Sequence, residues 1–341
     1  MFLQVNNYSY KNNLRGYLIM ENKILNKLKN STEYISGETL SLELNVSRSA
    51  IWKHIKALKN KGYAIDGISN KGYKLISSPN TLFPNEIIPL LKTKKLAKDI
   101  QYFSEIPSTN KAAKQLADNS NINDGTLIVA EKQTLGKGRF DRKWTSPSSG
   151  IWMSLILKPN IPPSEASKIT QIAAASVYKS LLNFGINVSI KWPNDIFIND
   201  KKLCGILTEM KCDIDRIHYL VLGIGLNVNL DSVDFADELK DIATSLKLEF
   251  NKTFNKSLIL SEILNNFEPL YEKFILENDI DEVLDICREN SNLLNQKAKL
   301  ITYHKEEIVT CIGINDSGEL IVKDADGHEK AVTSGEISFR V

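Results

Sequence analysis

Residues 191–207 read KWPNDIFINDKKLCGIL. Apolar positions alternating on both sides of a proline turn predict two short strands, with Lys191, Asn194 and Asp195 gathered at the turn. Asp195 in such a place can orient a cation, bind a magnesium ion or close an Asx turn. Lys202 then stands just before Gly205, where the absence of a side chain lets a ligand approach the strand closely. Strands spaced this tightly pair antiparallel, so the stretch assigns the middle of the chain to a mixed, mostly antiparallel sheet.

The same alternation continues outward. TLIVAEKQ, GIWMSLIL, NVSIKW, DIFIN, KLCGILTEM and YLVLGIGLNVN read as strands, whereas EIIPLLKTKKLA (residues 86–97) and SEASKITQIAAASVYKSLLNF read as helices. Residues 85–290 are therefore expected to form one α/β or α+β domain. Three more turns stand out. PSTNKAA (107–113) sets Ser108, Thr109 and Asn110 at a helix start, as an ordinary N-cap or as a holder of a polar ligand atom. GIGLNVN (223–229) is a glycine-bearing strand end that offers Asn227. TLGKGRFDRKW (134–144) packs four cations and one carboxylate onto a glycine-bearing backbone. Its glycine spacing fits neither the phosphate loop nor the dinucleotide fingerprint. Gly136 and Gly138 let the backbone fold around a ligand, with Lys137, Arg139 and Arg142 aiming charge at it. A solvated basic loop is the alternative.

The charge is uneven. Residues 1–80 carry 12 Lys or Arg against 5 Asp or Glu, while residues 81–341 carry 31 against 36. Within that basic end, SGETLSLELNVSRSAIWKHIKALKNKGY (36–63) predicts a short helix capped by Ser36 or Gly37, a turn at Asn45 and Val46, and a second helix capped by Ser47. A preceding helix is expected from Ile24, Leu25 and Leu28. Ile51, Ile55 and Leu58 face inward, leaving Arg48, Ser49, Trp52, Lys53 and Lys56 on the outer face. YAIDGISNKGYKL then reads as two strands around a turn that carries Lys71, a wing. Residues 20–79 are thus predicted to be a winged helix-turn-helix that lays its second helix in the DNA major groove, with SSPNTLFP (77–84) as linker. Residues 296–341 alternate between DSG and ADG turns and read as a small β-barrel of SH3-like type. The fold class is therefore multidomain α+β.

Composition excludes much else. At 341 residues with 42% hydrophobic and 25% charged side chains, the chain is an ordinary globular protein of two or three domains. No apolar run approaches the ~18 to 20 residues of a membrane span, and the N-terminus lacks a secretory signal pattern, so a cytoplasmic address without membrane partners is expected. Cys204, Cys212, Cys287 and Cys311, like the four histidines, are scattered without metal-site spacing, so no protein-bound transition metal is predicted.

Taken in order, STN (108–110), GKGRFDRKW (136–144), KWPND (191–195), KLCGIL (202–207), GIGLNVN (223–229) and GEISFR (335–340), behind a winged helix, resemble the biotin protein ligases of the kind that also act as biotin operon repressors. The resemblance covers residues 20–341. It implies a two-step reaction: biotin and ATP with Mg²⁺ give biotinyl-5′-AMP, and a lysine of a biotin carboxyl carrier protein then takes the biotinyl group. It also implies operator DNA as a partner, biotinyl-5′-AMP as co-repressor and a homodimer in the adenylate-bound state. Carried onto this chain, Ser108, Thr109, Asn110 and Gln133 would line the biotin site, and Lys137, Gly138 and Arg139 would form the core of the binding loop. Lys202 would contact biotin and the phosphoryl region, and Asp195 would serve adenylation; Lys202, Arg139 and Asp195 are the catalytic candidates. Arg142, Trp144, Lys191, Asn194, Gly205 and Asn227 are further binding candidates. Arg340 is a candidate for the nucleotide side, and Phe235 for stacking on adenine. Lys137 stands where arginine is common, and Phe140-Asp141 replaces a more basic, glycine-bearing pair. Residues 1–19 precede the resemblance and are expected to be dispensable, as an extension or a misassigned start. A ligand-sensing transcription factor without useful catalysis and a lipoate-type ligase are the competing readings. Intact Lys202, Asp195 and GKGR oppose the first, and KWPND the second.

Overall fold

The computed structural model describes residues 19–119, 121–302, 306–333 and 335–338, so expectations for residues 1–18 and for Arg340 lie outside the described residues. The chain divides into two compact units between Pro89 and Leu90.

In the first unit, a helix over residues 19–29 (α1) precedes α2 (Gly37–Leu44) and α3 (Arg48–Asn60). Ser36 and Ser47 both cap as predicted: their hydroxyls accept from Thr39 N at 2.9 Å and Ala50 N at 3.2 Å. Asn45 ends α2 in the left-handed conformation that makes the tight turn. Ile24, Leu25, Leu28, Leu40, Ile51, Ile55 and Leu58 are buried together, so apolar spacing alone defines the core. The wing follows as antiparallel β1 (Ala64–Ile68) and β2 (Gly72–Ser77). Gly72 has φ +112°, and an added Cβ would lie 2.1 Å from the Ile35 carbonyl oxygen, so the wing closes on the backbone at Ile35 only with glycine. The chain does not leave this unit at the expected linker. Glu86, on the short α4 (Pro84–Ile87), accepts from Tyr63 Oη at 2.7 Å and Lys29 Nζ at 2.8 Å.

Of the helix expected over residues 86–97, the end of α4 and a single turn at Ile88–Leu90 form, and the rest is absent. Pro89 removes a donor there, and the backbone N–H groups of Lys95 and Leu96 donate instead to the Glu268 carboxylate, at 2.7 and 2.8 Å. A buried carboxylate thereby replaces the carbonyl acceptors a helix would have supplied.

The second unit is built on a seven-stranded sheet ordered β3-β4-β5-β9-β8-β7-β6. Its strands are β3 (Ile100–Ile106), β4 (Thr126–Gln133), β5 (Ile151–Leu157), β6 (Ser189–Lys191), β7 (Asp195–Ile198), β8 (Lys201–Cys212) and β9 (Ile217–Leu226). Among the described residues β3 and β4 pair parallel and all other neighbours antiparallel, which agrees with the mixed, mostly antiparallel sheet. The parallel pair is joined by the crossover helix α5 (Thr109–Ala117), which packs on β5 and β9. On the β6-β7-β8 half lies α6 (Ala166–Asn183). Beyond a short α7 (Leu246–Phe250), α8 (Lys256–Glu277) packs along α6, as does α9 (Asp281–Glu289).

Residues beyond 296 form a five-stranded antiparallel sheet, ordered β13-β12-β11-β10-β14. The strands are β10 (Lys297–Ile301), β11 (Glu306–Ile314), β12 (Leu320–Lys323), β13 (Glu329–Val332) and β14 (Glu336–Ser338). One carbonyl joins it to the larger sheet's helices and turns: Gly318 O accepts from Gln171 Nε2 at 2.5 Å and Trp192 Nε1 at 3.0 Å. The cysteines are free thiols, with Cys204, Cys287 and Cys311 buried and Cys212 exposed. Asp324, Asp326 and His328 meet at an exposed turn, but Asp324 already accepts from the backbone N–H groups of the other two.

A buried ion pair pins the back of the sheet. Lys256 Nζ lies 2.6 Å from Glu131 on β4 and donates to Ser148 O at 2.7 Å, with 3% and 12% of the two side chains exposed. Lys256→Ala removes the buried counter-ion of that carboxylate, and should lower the urea unfolding free energy by about 3 to 5 kcal/mol. A loss below about 1 kcal/mol, the scale of surface pairs, would show that the pair is not desolvated.

Candidate functional site

Three glycines prepare the surface of the sheet. Gly205 on β8 and Gly225 on β9 are direct partners, and Gly223 stands two residues before. A Cβ on Gly225 would lie 2.7 Å from Trp144 Nε1, one on Gly205 3.2 Å from the same indole, and one on Gly223 2.2 Å from Asn110 Oδ1. Gly205 was expected to admit a ligand; what it admits first is the ring of Trp144, which forms part of the floor.

The STN stretch works mainly inside the protein. Ser108 caps α5. Thr109 donates through both its backbone N and its hydroxyl to Gln133 Oε1, at 2.8 and 3.1 Å, and Gln133 Nε2 donates to Ser146 Oγ at 2.9 Å. Asn110 Nδ2 donates to Glu209 at 2.9 Å, and its Oδ1 accepts from Ser154 Oγ at 2.6 Å. Ser154 was missed by sequence reasoning; a hydroxyl inside the apolar strand GIWMSLIL was its signal. Two further predicted amides are committed in the same way: Asn194 Nδ2 donates to Ile206 O at 2.9 Å, and Asn227 Nδ2 to Thr244 O at 3.0 Å. They fix backbone around the cavity.

The loop 136–144 is a tight hairpin. Lys137 and Lys143 pair, Gly138 N donates to Arg142 O at 2.8 Å, and Phe140 and Asp141 both take positive φ, at 54° and 57°. Consecutive left-handed residues are costly for a phenylalanine. Contacts hold it there: Arg139 lies 5.3 Å from the Phe140 ring, and Lys137 Nζ is 2.7 Å from Asp141. That exposed ion pair holds the Asp141 carboxyl below its usual range and the Lys137 ammonium above its own. Arg139 Nη1 donates to Asn194 Oδ1 at 3.1 Å, while Arg142 reaches Glu336 on β14 at 2.6 Å. Glu336 too was not foreseen, because nothing local in GEISFR signals a contact with a loop nearly 200 residues earlier.

These parts enclose a cavity of about 280 Å³. Arg340 aside, the predicted ligand residues line it: Ser108, Thr109, Asn110, Gln133, Lys137, Gly138, Arg139, Arg142, Trp144, Lys191, Asn194, Asp195, Lys202, Gly205 and Asn227. Lys202 Nζ lies 2.7 Å from Asp195 Oδ2 and 5.3 Å from the centre of the Trp144 ring. Burial lowers the proton affinity of Lys191, an effect the Asp195 carboxylate opposes and Lys202 reinforces. Burial acts likewise on Arg139, against Asp195 and Glu336. Lys143 is the sixth cation, and Asp195 and Glu336 are the carboxylates among the described lining residues. The cavity therefore carries a net positive charge suited to a polyanion. Asp195 Oδ1 and Trp144 Nε1 are buried and have no hydrogen-bond partner in the protein. Phe235 also lines the cavity, 6% exposed and packed with Trp152 and Leu230.

In the first unit, Arg48, Ser49, Trp52, Lys53 and Lys56 are exposed on one face of α3, and Lys71 is exposed at the wing's turn. Lys56 Nζ lies 5.2 Å from the Trp52 ring, which is 53% exposed. Ser47 uses its hydroxyl in the cap and toward Ser49.

Comparison with known proteins follows the same divisions. Residues 21–74 match a helix-turn-helix domain model, 102–227 the biotin/lipoate A/B protein ligase family and 295–340 the biotin protein ligase C-terminal domain. The bifunctional ligase/repressor BirA of Bacillus spizizenii is 40% identical over 306 residues, covering 88% of this chain and 92% of the relative. Its namesake from Escherichia coli is 29% identical over 311 residues, covering 90% and 94%. Among solved structures, the biotin protein ligase from Aquifex aeolicus in complex with biotin and ATP superposes with a TM-score of 0.61 at 29% identity, over 71% of this chain and 98% of that one.

The glycine floor makes its own prediction. Gly225→Ala should push the indole off β9, changing the near-ultraviolet tryptophan circular dichroism and costing about 1 to 3 kcal/mol by overpacking. An unaltered near-ultraviolet spectrum would show that Trp144 is not seated there.

Proposed function

Because the chain belongs to the biotin protein ligase family in its two-function form, ligase and repressor, we propose that the cationic cavity forms biotinyl-5′-AMP and passes its acyl group to a carrier lysine. The observation that carries this is the meeting of Lys202, Asp195 and Arg139 over the Trp144 floor, in a cavity whose lining holds six cations against two carboxylates.

In the first step a biotin carboxylate oxygen bonds to the α-phosphorus of ATP, and the bond to pyrophosphate breaks. An anion is brought onto a polyanion, so the chief demand on the protein is charge balance in a fixed geometry, with no enzyme nucleophile. Lys202 and Arg139 meet it. Partial burial strengthens their field, and Asp195 holds Lys202 in place by the 2.7 Å ion pair. Lys137 contributes less while paired with Asp141. Ser108, Thr109, Asn110 and Gln133 wall the biotin end, with the Asn194 and Asn227 amides keeping the backbone in register. Gly138, Arg142, Lys191 and Gly205 complete the adenylate site, and Phe235 is the candidate to stack on adenine. Asp195 Oδ1, buried and unpartnered, suits a magnesium ion otherwise held by phosphates; bound Mg²⁺ would neutralise phosphate charge.

On the first unit, Arg48, Ser49, Trp52, Lys53 and Lys56 would meet the major groove of an operator, with Ser47 capping the helix and Lys71 at a flanking phosphate. In this reading the adenylate-bound protein is a cytoplasmic homodimer, so two wings and two recognition helices meet a palindrome. The winged helix spans residues 20–79, the ligase domain residues 85–290, and residues 296–341 close as an SH3-like barrel. No helix among the described residues is long and apolar enough to cross a membrane.

Incubation with biotin, Mg·ATP and a biotin carboxyl carrier domain should add one biotinyl mass to the carrier, and Lys202→Ala should slow pyrophosphate release roughly 10²-fold or more. An unmodified carrier would sink the ligase assignment, and an undiminished rate would remove Lys202 from it. For the repressor function, each of Lys53→Ala and Lys56→Ala should flatten the slope of log operator affinity against log salt by about 1.8, since a dimer loses two phosphate contacts. An unchanged slope would place those lysines away from DNA.

A further inference from the structure

A second cavity, of about 350 Å³, lies beside the first and shares Arg139 and Asn194 with it as a common wall. The 3.1 Å hydrogen bond between those two side chains closes the partition. Its chemistry differs from that of its neighbour. Among the described residues lining it, Arg139 is the charged one and no carboxylate is present. The N–H donors of Gln171, Trp192 and Asn194 are spent on backbone carbonyls, Thr170 on α6 and Thr208 on β8 bond to each other at 2.7 Å, and Gln171, 4% exposed, keeps a buried Oε1 without a hydrogen-bond partner. Met210 and Phe140 are 43% and 60% exposed and contribute apolar surface to the lining.

Arg139 is already engaged with Asn194, and the rest of the space offers an anion hydroxyls but no second cation. An ammonium would find no counterion there, and a guanidinium at the inner end disfavours the charged form further. A neutral primary amine on an aliphatic stem fits both needs: apolar wall for the methylenes, unengaged acceptor for the N–H groups. It is also the nucleophilic form. We propose, on the basis of the ligase function above, that this second cavity is the route by which the carrier's lysine reaches the acyl adenylate, crossing where Arg139 and Asn194 meet. The lysine nitrogen's lone pair forms the amide bond to the acyl carbon. The acyl C–O bond to phosphate breaks, AMP leaves with its electron pair, and one N–H proton passes to solvent. Met210 and Phe140, exposed at the cavity's edge, would meet the carrier's surface around that lysine.

Two variants of the full chain test this. Thr208→Phe fills the cavity, and Met210→Glu alters its exposed edge with little risk to folding. Three rates are compared: pyrophosphate release with biotin and Mg·ATP, biotinyl transfer from preformed adenylate to the carrier domain, and transfer to hydroxylamine, which is too small to need a route. In both variants, carrier transfer should fall about tenfold or more in kcat/KM while the other two rates stay within about twofold. Carrier transfer at the wild-type rate in both, or an equal fall in all three rates, would overturn the proposal. Failure of the wild-type protein to release pyrophosphate would instead overturn the ligase function, and this route with it.

Discussion

Three missing β-carbons organise the site. Gly205 and Gly225 face each other across β8 and β9, and Gly223 continues the strip. Because no side chain rises there, the Trp144 indole and the Asn110 amide come up against the sheet. The indole gives Lys202 an aromatic face, and Lys202 in turn meets Asp195 from the neighbouring turn. Replacing any of these glycines would displace the ring or the amide before it touched a ligand. The glycines therefore act through the aromatic and amide groups they seat, and only through those on substrate.

The same geometry explains how charge is divided. Arg139 and Lys191 are partly buried, and burial opposes their protonation, so their positive charge is held at a cost that a bound anion offsets. Lys137, Arg142 and Lys202 each have a carboxylate partner, Asp141, Glu336 and Asp195 respectively. An unliganded cavity whose cations were all unpaired would repel itself. One with every cation tightly paired would have little field left for phosphate. The more exposed Lys137–Asp141 and Arg142–Glu336 pairs and the more buried cations meet both limits, because screening weakens the outer pairs and spares the inner field.

Much of this was legible in the sequence, for physical reasons that can be named. Caps at Ser36 and Ser47, the left-handed Asn45 and the core around Ile51, Ile55 and Leu58 are local rules that tertiary structure did not override. The antiparallel strands around KWPND followed from alternation. Three failures share the opposite cause. The helix over 86–97 was lost to Glu268, a carboxylate more than 170 residues away. β3, IQYFSEI, carries polar residues because an edge strand faces solvent, which blurs its pattern. The internal engagement of Asn110, Asn194 and Asn227 was invisible because an asparagine that fixes backbone and one that binds ligand look alike in sequence.

The C-terminal sheet shows why such long-range terms belong to the site itself. Gly318 has φ +79°, and a Cβ there would come within 2.3 Å of Gln171 Oε1, so only glycine can sit against α6 at this point. That contact lets one carbonyl accept from both Gln171 and Trp192. Trp192 is two residues from Asn194, whose carbonyl oxygen side chain receives Arg139, while β14 of the same sheet sends Glu336 to Arg142. The basic hairpin is thus held at two points, one on the KWPND turn and one on the C-terminal sheet, and the sheet in turn buttresses the KWPND turn through Trp192. A displacement of the sheet would loosen both anchors together. The last strands of the chain therefore govern the geometry of a loop near its middle through hydrogen bonds and one ion pair, without placing a nucleophile in the cavity.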